Sequence, residues 1–217
     1  MLRITPDHPY PLFDIAATRR LEQAAAAALP PHTLMQRAGL ATARLALALA
    51  PHARTVWLAC GPGNNGGDGL EAAAQLQRWG KQAVVTWLGD ETKAPADSLA
   101  ALARARQAGV CFADAPPPGL TPQDLCVDAL LGIGATRAPA GRMAQWIDAL
   151  IGSAAMVLAL DVPSGLNVDT GVVATTRIAD SEGPIRATGD FHAQHTLSLL
   201  TLKPGLFTSL GRDRRSE

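Results

Sequence analysis

Hydrophobic positions along the chain fall into two textures. Over residues 13–29 (FDIAATRRLEQAAAAAL) and 33–50 (TLMQRAGLATARLALALA) they recur at three- and four-residue intervals among good helix formers, which predicts two N-terminal helices. Pro30-Pro31 separates them, and Thr33 with Gln36 has capping-box spacing. Short unbroken apolar runs then take over at TVWLAC (55–60), AVVTWL (83–88), LCVDAL (125–130) and MVLALD (156–161), with a weaker VCF near 110. Helical periodicity returns between them, over 67–79, 95–108 and 141–151. Strands without alternation, interleaved with amphipathic helices, are the pattern of parallel strands covered on both faces, so a doubly wound α/β sheet is expected. Residues 172–190 read as a loop or hairpin leading to a late strand at HTLSLLTL (195–202), and no internal repeat is present.

Composition narrows the class of partner. The 217 residues are enough for one large domain with a substantial core, and Lys plus Arg (19) balance Asp plus Glu (19). No global field therefore favours nucleic acid or an anionic membrane. Cys60, Cys111 and Cys126 lack C-x-x-C spacing, which argues against disulfides and a zinc site. The N-terminus has no basic segment followed by an apolar one, and ARLALALA is too short to span a bilayer. A cytosolic protein is expected.

In a doubly wound sheet, ligands bind beyond the carboxyl ends of the strands. Three such ends carry unusual loops: Cys60 runs into GPGNNGGDG, Asp128 lies just before LLGIGATRAPAG, and Asp161 opens DVPSG. Gly61, Gly63 and Gly66 match G-x-G-x-x-G, and Asp90 stands where a ribose-binding acid would. Against a dinucleotide loop, Pro62 stiffens the turn and Asp68 puts a negative charge in the expected first turn of the helix, where pyrophosphate would rest. The segment offers backbone donors, two amides and a carboxylate, a set that suits a polar ligand or a cation. The alternative is a tight turn over Asn64-Asn65-Gly66-Gly67 whose Asp68 caps a helix. Asp161 is a candidate general acid or base, and Asp128, inside an apolar strand, needs a partner or a cation. Cys60 without a paired histidine reads as an inert thiol. His192 and His195 lack a completing metal pattern, and Arg212, Arg214 and Arg215 read as a solvated tail.

Taken in order, GPGNNGGDG, DALLGIGATR, ALDVPSGLNVDTG and LKPGL resemble the NAD(P)H-hydrate epimerase family, the YjeF N-terminal domain. LMQRAG fits as well, with Gln36 where that family commonly has glutamate. The resemblance runs from the N-terminal helices to about residue 207. It implies a Rossmann-like three-layer αβα sandwich with a mostly parallel sheet, and a domain over 1–210. Residues 211–217 would be a tail, or the start of a linker to a dehydratase domain on a longer chain.

The activity so implied is interconversion of the R and S forms of NADH or NADPH hydrated at C6 of the nicotinamide ring. An ADP- or ATP-dependent dehydratase, repairing only the S form, would be the functional partner or a fused domain, and a homo-oligomer is compatible with the resemblance. By motif, Asn64, Asn65, Gly66, Gly67, Asp68, Gly132, Ile133, Gly134, Ala135, Thr136, Arg137, Ala138 and Asp161 would line the substrate. Asn65, Asp128 and Ser164 would hold a potassium ion. Asp161 would assist hydroxyl departure and activate the returning water; ring opening is the other route. Two further readings stand beside this one: a non-catalytic nucleotide-binding or scaffold module of the same fold, and an ordinary NAD-dependent oxidoreductase resting on the glycine fingerprint and Asp90.

Overall fold

The computed structural model describes residues 2–5, 7–135, 137–173 and 193–208. Six parallel strands form one sheet: β1 Thr55–Cys60, β2 Gln82–Trp87, β3 Cys111–Phe112, β4 Leu125–Ala129, β5 Met156–Leu160 and β6 His195–Leu197. Their order is β3-β2-β1-β4-β5-β6. The chain winds outward from β1 through β2 to β3, then returns to the other side of β1, so the order reverses between β1 and β4. At such a reversal the crossovers leave in opposite directions and open a crevice at the carboxyl ends.

The helices are α1 Ile15–Ala27, α2 Thr33–Leu49, α3 Asn64–Arg78, α4 Ala96–Gln107 and α5 Arg142–Ile151. One face of the sheet packs α2, α3 and α4 in a single core that includes Met35, Ala43, Leu70, Leu76, Leu102, Leu58 and Val127. The other face packs α5 through Trp146, Ile147 and Leu150 against Trp57 and Val157. The central strands are buried on both faces, which is why they show no alternation of polar and apolar residues. A smaller cluster joins Ile15 of α1 to Val162, Leu166, Val168 and Leu206, past the end of β5.

Most elements begin and end within a residue or two of their expected bounds, with three differences. The expected capping box of α2 does not form: its N-cap is His32, at φ 66, without a side-chain cap bond, and Thr33 is already helical. The late strand is only three residues long, because Leu199 and Leu200 leave the sheet and Leu200 takes a positive φ of 58. The third difference, the start of α3, bears on the site. Most of the 172–190 segment lies outside the described residues; Val173 forms an antiparallel bridge with Leu166.

Candidate active site

After Cys60 the chain makes a loop of only three residues before α3 begins at Asn64, so Asn64, Asn65, Gly66, Gly67 and Asp68 are the first five helical residues. Neither a tight turn nor an Asp68 cap is present: Gly63 is the N-cap, and Asp68 stands in the second turn. Glycines are poor helix formers, but here a side chain would not fit. A Cβ at Gly66 would lie 2.0 Å from the Gly61 carbonyl oxygen, at Gly67 2.5 Å from Met35 Cε, and at Gly69 2.7 Å from Ala129 Cβ. Close packing thus overrides a propensity penalty of about 1 kcal/mol per glycine. It seats the helix N-terminus, with its unpaired backbone N–H groups, at the crevice.

Beside this helix, β4 carries Asp128, fully buried. Its Oδ1 accepts from Ser164 Oγ (2.6 Å) and Leu130 N (3.2 Å), and its Oδ2 accepts from Ser164 N (2.8 Å). Burial pushes its carboxyl up to about 6, against the lowering pull of those donors. Leu131 N donates to Ser164 Oγ at 2.9 Å. A Cβ on Gly132 would lie 3.3 Å from Asn65 Cβ and 3.1 Å from Asp161 Oδ2. Three consecutive residues, Leu130, Leu131 and Gly132, therefore tie Asp128, Ser164 and Asn65 into one neighbourhood.

Asn65 has both side-chain atoms, Oδ1 and Nδ2, buried without a hydrogen-bond partner. An orphaned buried amide costs on the order of 1–3 kcal/mol, so something is expected to satisfy it. An amide oxygen, a serine hydroxyl and a buried carboxylate with no cationic partner are hard oxygen donors suited to a weakly charged cation. Among the described residues no group of three or more His, Cys, Asp or Glu could hold a metal ion, so any cation here would rest on amide and hydroxyl oxygens beside the one carboxylate.

Asp161 follows β5 and is 7 % exposed. Its φ is 67, a left-handed conformation that a short polar side chain tolerates better than most. Three donors among the described residues hold its carboxylate. Ile133 N reaches Oδ2 at 3.2 Å, Leu199 N reaches Oδ1 at 3.4 Å, and the Lys203 ammonium pairs with Oδ1. Lys203 is fully buried and also donates to Leu199 O (2.7 Å) and Ser198 Oγ (3.1 Å). Sequence reasoning missed Lys203 as a site residue. Its available signal was a lysine inside the apolar run LLTLKPGL, since an unpaired buried ammonium is not tolerated.

The crevice is lined by Asn64, Asn65, Asp68, Gly132 to Ala135 and Asp161, with Arg19 and Glu22 from α1 and Asp97 from α4. Asp68 has no hydrogen bond or ion pair with any described residue. Burial, then the charges of Asp161, Glu22, Asp97 and Glu71, hold its carboxyl well above the usual range. Not every candidate lines this space. Gly66 and Gly67 are buried in packing, Asp128 and Ser164 lie beneath the surface, and Arg137 and Ala138 are exposed away from it. Thr136 lies outside the described residues.

The other candidates resolve physically. Asp90 is exposed, and its Oδ1 accepts from Thr92 N and Oγ1 while Lys93 pairs with Oδ2, so it closes a local turn. Cys60 is buried beside Asp128, and both burial and that carboxylate push its thiol up, away from reactivity. His195 sits on β6; His192 and the arginine-rich end lie outside the described residues. No described helix is long and apolar enough to cross a membrane.

The sequence profile described as YjeF-related protein N-terminus matches residues 31–205. The chain is 35% identical over 190 residues to the NAD(P)H-hydrate epimerase of Rhodopirellula baltica, covering 86% of this chain and 72% of that one. It is 36% identical over 184 residues to the bifunctional NAD(P)H-hydrate repair enzyme Nnr of Escherichia coli, covering 84% of this chain but only 33% of that one. The crystal structure of yeast ynu0 superposes with a TM-score of 0.70 at 19% identity, over 94% of this chain and 86% of that one, a likeness of fold.

Proposed function

The chain belongs to the family of YjeF-related protein N-termini, and from that premise we propose that it is an isomerase, an NAD(P)H-hydrate epimerase acting in nicotinamide cofactor repair. The observation that carries this reading is the meeting of Asn65, Gly132 and Asp161 at the strand-order reversal, with Lys203 paired to Asp161. A scaffold that had lost its chemistry would have no need of a buried lysine held on a strand-end carboxylate. An oxidoreductase would need a free acid for the ribose, and Asp90 is already engaged.

In the proposed substrate, C6 bears a hydroxyl beside the ring nitrogen. Loss of the hydroxyl leaves a cation stabilised by that nitrogen, and water can return to either face. Asp161, held in place by Ile133 N, Leu199 N and Lys203, is the group proposed to handle the protons at C6. The N-terminal amides of α3, at Asn64 and Asn65, offer donors to the pyrophosphate. The Gly132–Ala135 turn would line the substrate on the side of Asp161.

Asn65, Asp128 and Ser164 would hold a potassium ion, satisfying the orphaned Asn65 Oδ1 and compensating the buried carboxylate. When bound, it would supply positive charge near the negatively charged ligand. An ADP- or ATP-dependent dehydratase is the proposed consumer of the S form, either a separate protein or, as the length of the bifunctional relatives suggests, a domain on the same chain. The test is a coupled assay: an equilibrated mixture of hydrated NADH is given an S-specific dehydratase with and without this protein. Complete recovery of reduced-nicotinamide absorbance only when the protein is present is expected. Recovery that stops at the S fraction in both cases would refute the reading.

A further inference from the structure

An epimerase that removes a hydroxyl from one face of a planar centre and returns water to the other faces a geometric difficulty. A carboxylate fixed on one side cannot reach both oxygens, and Asp161 is fixed: three donors on two elements pin its oxygens, and its backbone is in the left-handed region. A second proton carrier is required on another wall of the crevice. Among the described residues, the ionisable ones lining it are Arg3 near the N-terminus, Arg19 and Glu22 on α1, His32 and Arg37 at α2, Asp68 on α3, Asp97 on α4, His195 on β6, and Asp161 with Lys203.

Most of these are unsuited. Arginine does not titrate in the working range. Asp97 is bound to His32 Nδ1 at 2.5 Å, and Lys203 is committed to Asp161. His195 opens β6 opposite Leu158, at the end away from the strand-end loops, and Glu22 lies on α1, off the strand ends; Asp68 differs from them. It lies on the same helical segment as Asn64 and Asn65, deeper along α3, and its carboxyl contacts no donor among the described residues.

Resting on the epimerase reading, we propose that Asp68 and Asp161 form a two-carboxylate pair serving the two faces of C6, one giving a proton to the departing hydroxyl while the other takes one from the incoming water. In one direction Asp68 donates: the C6–O bond breaks, the oxygen leaves as water, and the ring nitrogen's electron pair stabilises C6. A second water attacks the opposite face, forming the new C6–O bond, and its proton passes to Asp161. The proton count is unchanged, no redox equivalent is used, and solvent returns the proton from Asp161 to Asp68. The reverse direction exchanges the roles.

The surroundings suit that division. Asp68 feels the charges of Asp161 at the strand ends, Glu22 on α1, Asp97 on α4 and Glu71 on α3, and of these Asp161 is paired with Lys203, Asp97 with His32 and Glu71 with Arg104; Arg19 lines the same crevice. Burial and the surrounding carboxylates favour its protonated form, whereas Asp161 has an ammonium against it.

The test uses purified S-form hydrated NADH in H2(18)O, with the R form resolved by chromatography and unenzymatic exchange subtracted. Wild-type protein is expected to place one solvent oxygen in each R molecule formed. Retention of the original oxygen would overturn the proposal in favour of ring opening. Asp68→Asn is expected to lower kcat roughly 100-fold or more, with KM changed far less, and Asp68→Glu to recover part of the loss. Near-wild-type kcat in Asp68→Asn, or a loss confined to KM, would overturn it. Because Asp68 must carry a proton to give one, wild-type kcat/KM for the S form should fall at high pH. A profile with no fall at high pH counts against Asp68. If wild-type protein forms no R product at all, the epimerase reading fails instead.

Discussion

Lys203 and Asp161, 42 residues apart in the chain, form a buried ion pair at the carboxyl end of β5. The lysine reaches the pair from the segment preceding the short 3-10 helix Pro204–Leu206. That segment is tied to the N-terminus through Phe13 N donating to Leu202 O at 2.8 Å and Thr18 Oγ1 meeting Thr201 Oγ1 at 2.8 Å. The first helix thereby helps to fix the lysine that orients the carboxylate.

Replacing Lys203 with Met leaves Asp161 buried without its cation. Removing one partner of a buried pair costs on the order of 3–5 kcal/mol, and epimerisation should fall with it as Asp161 loses its orientation. The double variant Lys203→Met/Asp161→Asn should regain most of the stability and none of the activity, measured by denaturant midpoint and by the coupled assay. Additive stability losses in the double variant would mean that the two residues are not coupled.

Asp161→Asn should keep the fold and lose epimerisation by roughly 100-fold or more, because asparagine tolerates the positive φ and can still accept from Lys203, but cannot transfer the proton. Circular dichroism with turnover checks both parts. Near-normal turnover would remove Asp161 from the chemistry.

Potassium should raise the melting temperature more than an equal concentration of a bulky organic cation does, and the increment should vanish in Asn65→Ala and Asp128→Ala. Asn65→Ala removes an amide with no hydrogen-bond partner, so without potassium it should be no less stable than wild type. A full potassium response in either variant argues against the ion site.

The ionisation of Asp128 gives this site a pH signature. Its folded-state value, about 6, lies above the ordinary 3.8, so the folded protein binds the proton more tightly than the unfolded chain. In potassium-free solution that contribution is full below about 4 and disappears as pH rises through about 6, a decline of at most about 3 kcal/mol. Added potassium should flatten the decline, and Asp128→Asn should abolish it. Urea denaturation across this range measures all three.

Gly66→Ala should destabilise by about 3 kcal/mol or more, since the new methyl would stand 2.0 Å from the Gly61 carbonyl oxygen and neither backbone can retreat. Gly63→Ala, three residues earlier, meets nothing within 4 Å and has a negative φ of −100, so about 0.5 kcal/mol is expected. Thermal melts of the two variants compare them directly; similar losses would mean that the close approach of α3 to the Gly61 turn is not what the glycines provide.

The sequence by itself determined the alternation of strands and helices, because runs such as TVWLAC and LCVDAL, buried on both faces, admit no polar alternation, and it marked the strand ends where acids and glycines gather. It did not determine that Asn64 to Asp68 are helical. Local propensity reads N-N-G-G-D as a turn, and only packing against Gly61, Met35 and Ala129 makes the helix start there. Nor could spacing reveal the Lys203–Asp161 pair, the unpartnered amide of Asn65 or the isolation of Asp68, since each depends on which distant segments meet across the reversal in strand order. Periodicity is a local property of the chain; the charge and hydrogen-bond environment of a side chain is a property of its neighbours in space.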